Sequence, residues 1–226
     1  MDIAAAGFGP RGFGVVEALL DDTTCDTVAA QIDELPLTGA GSRQLLQYEW
    51  CRRLALSVRM HSEIRERLPA DSVGVQCTLF NKSASANWLV ALHQDRSVPV
   101  RGKVDSLALI GWAEKEGGTF VKPPASMLRR MAAVRVHIDP CPLEGGALRV
   151  VPGSHLLGVL SPAEAQRICK VVGEHVVPVR RGGALLMKPL LLHASSKVAT
   201  ASQRRVLHFV FGPRIPPFGL AWQYAV

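Results

Sequence analysis

Apolar positions change their spacing once along this 226-residue chain. Up to Pro69 they recur with helical period. Thr23 or Thr24 offers a hydroxyl cap to a helix running through Ala29, Ile32 and Leu35, and Gly39-Ala40-Gly41-Ser42 breaks the chain after it. Leu45, Leu46, Trp50, Leu54, Leu56 and Ile64 then carry the helical period onward. After Pro69 the texture changes to short runs rich in β-branched residues and bounded by Gly or Pro, which predict strands over 73–80, 88–92, 134–138, 147–151, 175–179, 184–187 and 206–211. Many short strands separated by turn signals predict a sandwich or double-sheet barrel. Residues 96–133 interrupt the series with a Gly- and Pro-bearing insertion, expected to be a lid or a loosely ordered loop.

Composition narrows the class without naming a function. With 48% hydrophobic and 20% charged residues the chain is ordinary globular material. One domain over 1–226 is expected, helical over 1–70 and β-rich over 71–226. No apolar run approaches the roughly 20 uncharged residues of a membrane span. The opening Met1-Asp2-Ile3-Ala4-Ala5-Ala6 lacks the pattern of a secretory leader. Five scattered cysteines without a CxxC pair fit reduced thiols in a cytoplasmic protein, not a disulfide scaffold or a zinc-thiolate site. The net charge of +7 is spread over isolated Arg doublets, which speaks for a solvated basic surface or attraction of small anions, with no concentrated nucleic-acid stripe.

Gly7-Phe8-Gly9-Pro10-Arg11-Gly12 matches GxGxxG. The dinucleotide fold that uses this motif needs a strand before it and a helix opening at it. Here Phe13-Gly14-Val15-Val16 predicts a strand after it, so a Gly-rich turn is the better reading.

His93-Gln94-Asp95 ends a strand-like run, and residues i and i+2 on a strand project to one face. An imidazole and a carboxylate so placed, joined by a distant histidine such as His193, make a 2-His-1-carboxylate triad. Such a triad fills one face of an octahedral iron and leaves three positions open. HxD alone is weak, and the chain holds a second, His137-Ile138-Asp139, between which spacing cannot choose.

Further motifs decide. Phe80-Asn81-Lys82, His93-Gln94-Asp95, the run from Glu144 through Val150-Val151-Pro152-Gly153-Ser154-His155, then Lys188 to Ser195, and finally Arg204-Arg205-Val206-Leu207-His208-Phe209 follow one another in order. With this series the block from Gln76 to Phe211 resembles the phytanoyl-CoA dioxygenase family of iron(II)- and 2-oxoglutarate-dependent oxygenases. Gly12-Phe13-Gly14-Val15-Val16 and the capped helix look like that family's opening. The resemblance implies a mainly β fold with flanking helices: a double-stranded β-helix (jelly-roll, cupin-like) core with N-terminal helices packed on it.

It also implies His93, Asp95 and His193 as the metal ligands and catalytic centre, with His137-Ile138-Asp139 in a supporting position. His155 matches a motif histidine that is not a ligand. The family's arginine for the distal carboxylate of 2-oxoglutarate falls on Arg204, with the adjacent Arg205 as the alternative. Ser195 matches a position supporting the same carboxylate, and Gln76 and Thr78 match cosubstrate-contacting positions. Arg135 departs from the pattern, since many relatives carry an aromatic residue there. If its strand face lines the barrel cavity it should meet an anion: cosubstrate, substrate or Asp139. Trp88, Trp112, Lys115, Phe120 and Lys122 are further candidates for substrate contacts.

The implied reaction takes Fe(II), O₂ and 2-oxoglutarate, releases succinate and CO₂, and hydroxylates a small molecule. Related halogenases replace the carboxylate ligand with a small residue, so Asp95 favours hydroxylation. Nucleic acid and membrane are not expected partners, and the oligomeric state stays open. Two rivals remain: a cupin-type isomerase or lyase that needs the triad but not Arg204 and Ser195, and a non-catalytic small-molecule-binding member of the fold.

Overall fold

The structure, a computed structural model, describes residues 8–36, 41–82, 87–197 and 203–226, with the Glu144 side chain left aside. In chain order the elements are β1 (Phe13–Val16), α1 (Asp22–Asp33), β2 (Gly41–Ser42), α2 (Glu49–Met60), α3 (Ser62–Arg65), β3 (Ser72–Lys82), β4 (Val90–His93), β5 (Val98–Val100), β6 (Ile110–Lys115), β7 (Gly118–Lys122), α4 (Ala125–Leu128), β8 (Ala132–His137), β9 (Leu148–Val150), α5 (Pro162–Val172), β10 (His175–Val177), β11 (Ala184–Met187), β12 (His193–Ser195) and β13 (Arg204–Pro213). Three sheets result: a six-stranded β1-β11-β8-β13-β3-β2, a four-stranded β10-β9-β12-β4, and a small β5-β7-β6. The first two are the walls of a jelly roll, as expected. No helix among the described residues is long and apolar enough to cross a membrane.

Alternation along the large sheet sorts its side chains between two environments. Cys77, Leu79, Val134, Val136, Leu186, Leu207 and Phe209 pack outward against Val28 and Ile32 of α1 and Cys51, Leu54, Ala55 and Val58 of α2. The intervening Thr78, Phe80 and Lys82 of β3, Arg135 of β8, and Arg204 and His208 of β13 turn into a cavity between the two large sheets. Antiparallel register fixes their order: Arg204 lies opposite Lys82, and His208 lies opposite both Thr78 and Arg135.

Several local expectations change. Asp21, not Thr23 or Thr24, caps α1: its Oδ1 accepts from Thr24 N at 2.7 Å, and both threonines lie inside the first turn. Leu56 is exposed, because the buried stripe of α2 runs through Cys51, Leu54, Ala55 and Val58. Gly39 and Ala40 of the expected chain break lie outside the described residues, as does Gly7 of the GxGxxG match. Gly9 and Gly12 of that match have positive φ in a turn that enters β1.

The 96–133 segment is not a loosely ordered loop. It folds into β5, β6, β7 and α4, with Val98, Val100, Val121, Met127 and Leu128 forming their own apolar cluster with Val73, Val210 and Trp222. The β6–β7 hairpin turns through Glu116 and Gly117, both with positive φ (49° and 76°), in a two-residue loop that matches the twist of the strands it joins.

The run Pro152-Gly153-Ser154-His155 forms a tight turn that braces the strand carrying His193. Ser154 Oγ donates to Val151 O at 2.7 Å and accepts from Leu192 N at 2.8 Å. His155 packs over Gly12, where a Cβ would stand 2.2 Å from its ring, and so lies away from the metal ligands. Replacing Ser154 by Ala leaves the Leu192 amide without its buried acceptor. A loss of about 1–3 kcal/mol in the free energy of unfolding, read from urea denaturation, is the expected outcome.

Candidate functional site

The two histidines of the expected triad sit side by side on neighbouring antiparallel strands, His193 of β12 directly opposite His93 of β4. Their rings lie 4.2 Å apart, centre to centre. Each Nδ1 is bonded to the carbonyl two residues behind it, His93 to Ala91 O at 2.8 Å and His193 to Leu191 O at 2.9 Å. A carbonyl can only accept, so Nδ1 carries a proton and Nε2 is the nitrogen that each neutral ring offers to a metal. Asp95 follows one residue beyond Gln94, its amide held by Pro189 O at 2.9 Å. Its carboxylate oxygens stand 3.6 Å from His93 Nε2 and 3.7 Å from His193 Nε2. One donor atom from each of the three falls within 4.8 Å of the others.

Gln94, passed over in the sequence, is the wedge that holds this geometry. Its buried amide nitrogen donates to Gly158 O at 2.8 Å and Leu190 O at 2.7 Å, and its oxygen accepts from Leu160 N at 3.0 Å. The residue between His93, the last of β4, and Asp95 just beyond it is thereby tied to the segment leading into the third ligand.

Electrostatics suit the triad to a cation. Burial pulls His193 down to about 4 against the attraction of Asp95, so the ring is neutral near pH 7. Burial opposes ionisation of Asp95 too, but His193, His93 and His208 around it outweigh that and hold the carboxyl far below the ordinary range. Its Oδ2 is buried without a hydrogen-bond partner among the described residues. A buried ionised oxygen to which no hydrogen bond is formed, with two imidazole nitrogens beside it, fits a divalent metal.

A fourth histidine, named in the sequence only as part of a motif, also reaches this point. His208 Nε2 lies 3.5 Å from Asp95 Oδ2, and its Nδ1 lies 3.1 Å from Arg135 Nη1. Arginine can only donate, so Nδ1 accepts and Nε2 presents its proton toward Asp95. His208 therefore braces the carboxylate and is no donor to a metal.

Beyond the triad the cavity wall turns cationic. Arg204 is buried, with Nη1 bonded to Gly145 O at 3.2 Å and to Gly146 O, and its Nε has no partner among the described residues. Opposite it, Lys82 is fully buried, donating to Ser196 O at 2.9 Å and Ser195 Oγ at 3.3 Å, with Trp88 under its ammonium. Burial, reinforced by Arg204 and Arg135, pulls Lys82 down to about 8. Arg205 points the other way, bonded to Asp139 at 2.9 Å and Asp33 at 3.1 Å. The strand face thus puts Arg204 in the cavity and Arg205 in a surface ion-pair network. Asp139 is occupied by Arg205, which removes it as the anion for Arg135 and gives the second HxD pair a structural role.

Thr78 lies near the triad, opposite His208, while Gln76 lies opposite Val210, six residues along β3 from Lys82 and about 20 Å away along the strand. Gln76 donates to Thr78 Oγ1 at 2.9 Å. Both line the cavity, but Gln76 sits at the end remote from Arg204 and Ser195. Trp88, Lys115 and Phe120 also line it; Trp112 and Lys122 do not. The cavity measures about 570 Å³, within the usual range for small-molecule sites. The partnerless Nε of Arg204, with Lys82 and Ser195 beside it and a metal-compatible triad on the facing sheet, fits a small dicarboxylate that also reaches the metal.

Comparison with known proteins bears on the fold and the family. No curated protein sequence matches the chain. Among solved structures, the 2-oxoglutarate-dependent carbocyclase SnoK of nogalamycin biosynthesis is similar at 17% identity and a TM-score of 0.68, over 95% of this chain and 84% of that one. The epimerase SnoN of the same biosynthesis has 18% identity and a TM-score of 0.66, over 93% and 81%. HygX from Streptomyces hygroscopicus, solved with nickel and 2-oxoglutarate, has 19% identity and a TM-score of 0.63, over 95% and 86%. At such identities these likenesses speak for the fold. The profile of the phytanoyl-CoA dioxygenase (PhyH) family matches residues 10–206, and the chain belongs to that family of non-haem iron- and 2-oxoglutarate-dependent enzymes.

Proposed function

We propose that this protein is an oxygenase that hydroxylates a small-molecule substrate, with His93, Asp95 and His193 holding Fe(II), and Arg204, Lys82 and Ser195 holding the distal carboxylate of 2-oxoglutarate. The observation that carries this reading is the convergence of the three donor atoms within 4.8 Å beside a buried, partly unpartnered arginine. When bound, iron would activate O₂, which is the oxidant, while the keto acid would supply two electrons in going to succinate and CO₂. The chain supplies placement. The Nδ1 bonds aim both imidazoles, Gln94 fixes the spacing of His93 and Asp95, and His208 holds Asp95 from behind. Leu128, Met131 and Val210 give the end remote from Arg204 an apolar wall against which a C–H bond can be presented while water is excluded. A carboxylate at position 95, where related halogenases carry a small residue, supports hydroxylation.

Anaerobic addition of Fe(II) and 2-oxoglutarate should produce a weak visible metal-to-ligand absorption band. His93→Ala should abolish it, and a band that survives that change would remove the triad from its role. Arg204→Gln should weaken 2-oxoglutarate binding about 10- to 100-fold, the worth of a charge-assisted bond. Arg205→Gln should lower the unfolding midpoint and leave cosubstrate affinity within about twofold. An Arg204 variant with unchanged affinity would favour the cupin-type reading.

Lys82 gives a pH signature. Its ammonium is held at about 8 in the ligand-free protein, so it is charged below that pH and neutral above. A dicarboxylate stabilises the charged form and raises this value on binding. Affinity for 2-oxoglutarate should therefore fall as pH rises above about 8, until the raised value of the complex is passed. Lys82→Met should bind more weakly at neutral pH and lose that slope in a calorimetric titration series.

A further inference from the structure

We infer that the primary substrate is an oxyanion, a small molecule bearing a carboxylate or phosphate group that Arg135 receives beside the metal, with Arg96 and Lys115 on the wall of the same cavity. This names the substrate class of the site and rests on the oxygenase reading. The first ground is charge balance. Lys82, Arg135 and Arg204 are buried, and Asp95 is the one carboxylate among the cavity-lining residues, so three cations face one anion. Iron(II) and the 2-oxoglutarate dianion bring equal and opposite charges, so binding both leaves the excess of two positive charges as it was. Charge held out of water without an opposite partner is costly, and the remaining occupant is the group that can offset it. Arg43, another cavity residue, adds nothing to the excess because Glu116 pairs with it at 2.6 Å.

The second ground is Arg135 itself. It is 7% exposed, lies with its guanidinium 5.0 Å from the centre of the Phe80 ring, and donates from Nη1 to His208. Its Nε is buried without a partner, and no carboxylate lies within 4 Å of it among the described residues. The acid nearest to it in sequence, Asp139, is held by Arg205. A planar fork backed by an aromatic face, with an unused donor, is built to take an oxyanion.

The third ground is separation. Arg135 lies opposite His208 and Arg204 lies four residues further along β13, about 13 Å away along the strand. One carboxylate does not serve both. The neighbouring wall extends the same sign: Lys115 Nζ rests on Ser97 Oγ at 3.1 Å and over Phe120, and neither it nor Arg96 forms an ion pair among the described residues.

The test uses the full chain loaded with zinc, as an inert divalent stand-in, and 2-oxoglutarate. A straight-chain ladder from butyl to dodecyl, each skeleton carried as carboxylate, phosphate monoester, carboxamide and ammonium, is titrated by calorimetry. The expected result is that the oxyanion form of at least one skeleton binds about tenfold or more tightly than its carboxamide, with the ammonium weakest. Which oxyanion wins separates carboxylate from phosphate substrates. Arg135→Gln should remove the preference and Arg135→Lys restore part of it, with 2-oxoglutarate affinity and the thermal unfolding midpoint retained in both. Carboxamides binding as well as oxyanions throughout the ladder would overturn the inference. So would an Arg135→Gln protein that loses 2-oxoglutarate instead of the probe, since Arg135 would then belong to the cosubstrate. Wild-type protein that takes up no 2-oxoglutarate sinks the oxygenase reading instead, and the comparison of wild type with Arg135→Gln across the ladder on zinc-loaded protein still decides the inference.

Discussion

Two imidazoles on adjacent strands, each with one nitrogen spent on the carbonyl two residues behind, constrain everything around them. The bond to Ala91 or Leu191 costs each ring its freedom to flip and leaves the other nitrogen facing the partner ring. Strand pairing then brings those nitrogens together without help from a loop, since His193 and His93 are register partners. Asp95 lies just past the end of β4 and depends on tertiary bonds instead. Pro189 O holds its amide, Gln94 ties its neighbour to Leu190 and the Gly158 turn, and Ser154 pins Leu192 from the far side. The triad is therefore a product of where the second sheet is stapled as much as of which residues it contains.

The facing sheet answers with the opposite electrostatic character. Placing Lys82, Arg135 and Arg204 on the inner face of three neighbouring strands would be a poor choice for stability alone, and Lys82 shows the strain in its lowered proton affinity. The outer face of the same strands is apolar over most of its length and packs on α1 and α2, with Arg205 at its end paired to Asp139 and Asp33. Period-two alternation separates the two demands: one side of the sheet holds the fold together, and the other is left free to be chemically expensive.

Much of this was legible in the sequence. Short β-branched runs bounded by Gly or Pro located most of the jelly-roll strands, and the ordered motifs singled out His93, Asp95 and His193 from a chain with seven histidines. β12 escaped because Leu190-Leu191-Leu192 shows no alternation, and the 96–133 segment escaped because Glu116-Gly117 is not among the strongest turn pairs. Lys82, Gln94 and His208 could be read only as motif letters: their roles come from partners 64 to 114 positions away, across strand pairings that local pattern does not encode. Arg135 is the reverse case. Its strand face alone required an anion, but the availability of Asp139 depended on the tertiary network that assigns it to Arg205.

The hairpin sheet between Asp95 and β8 leaves the jelly roll just after one ligand and re-enters it just before Arg135, packed in an apolar cluster it shares with Val73 of β3 and Val210 of β13. Only Lys115 and Phe120 of the hairpin reach the lumen. The hairpin's cavity-facing side chains can change without repacking that cluster, whereas its length and its buried face are tied through Val73 and Val210 to the strands that carry Lys82 and Arg204. The shape of the lumen can thus be retuned at Lys115 and Phe120 alone, while any larger change in the hairpin is felt by those cation-bearing strands.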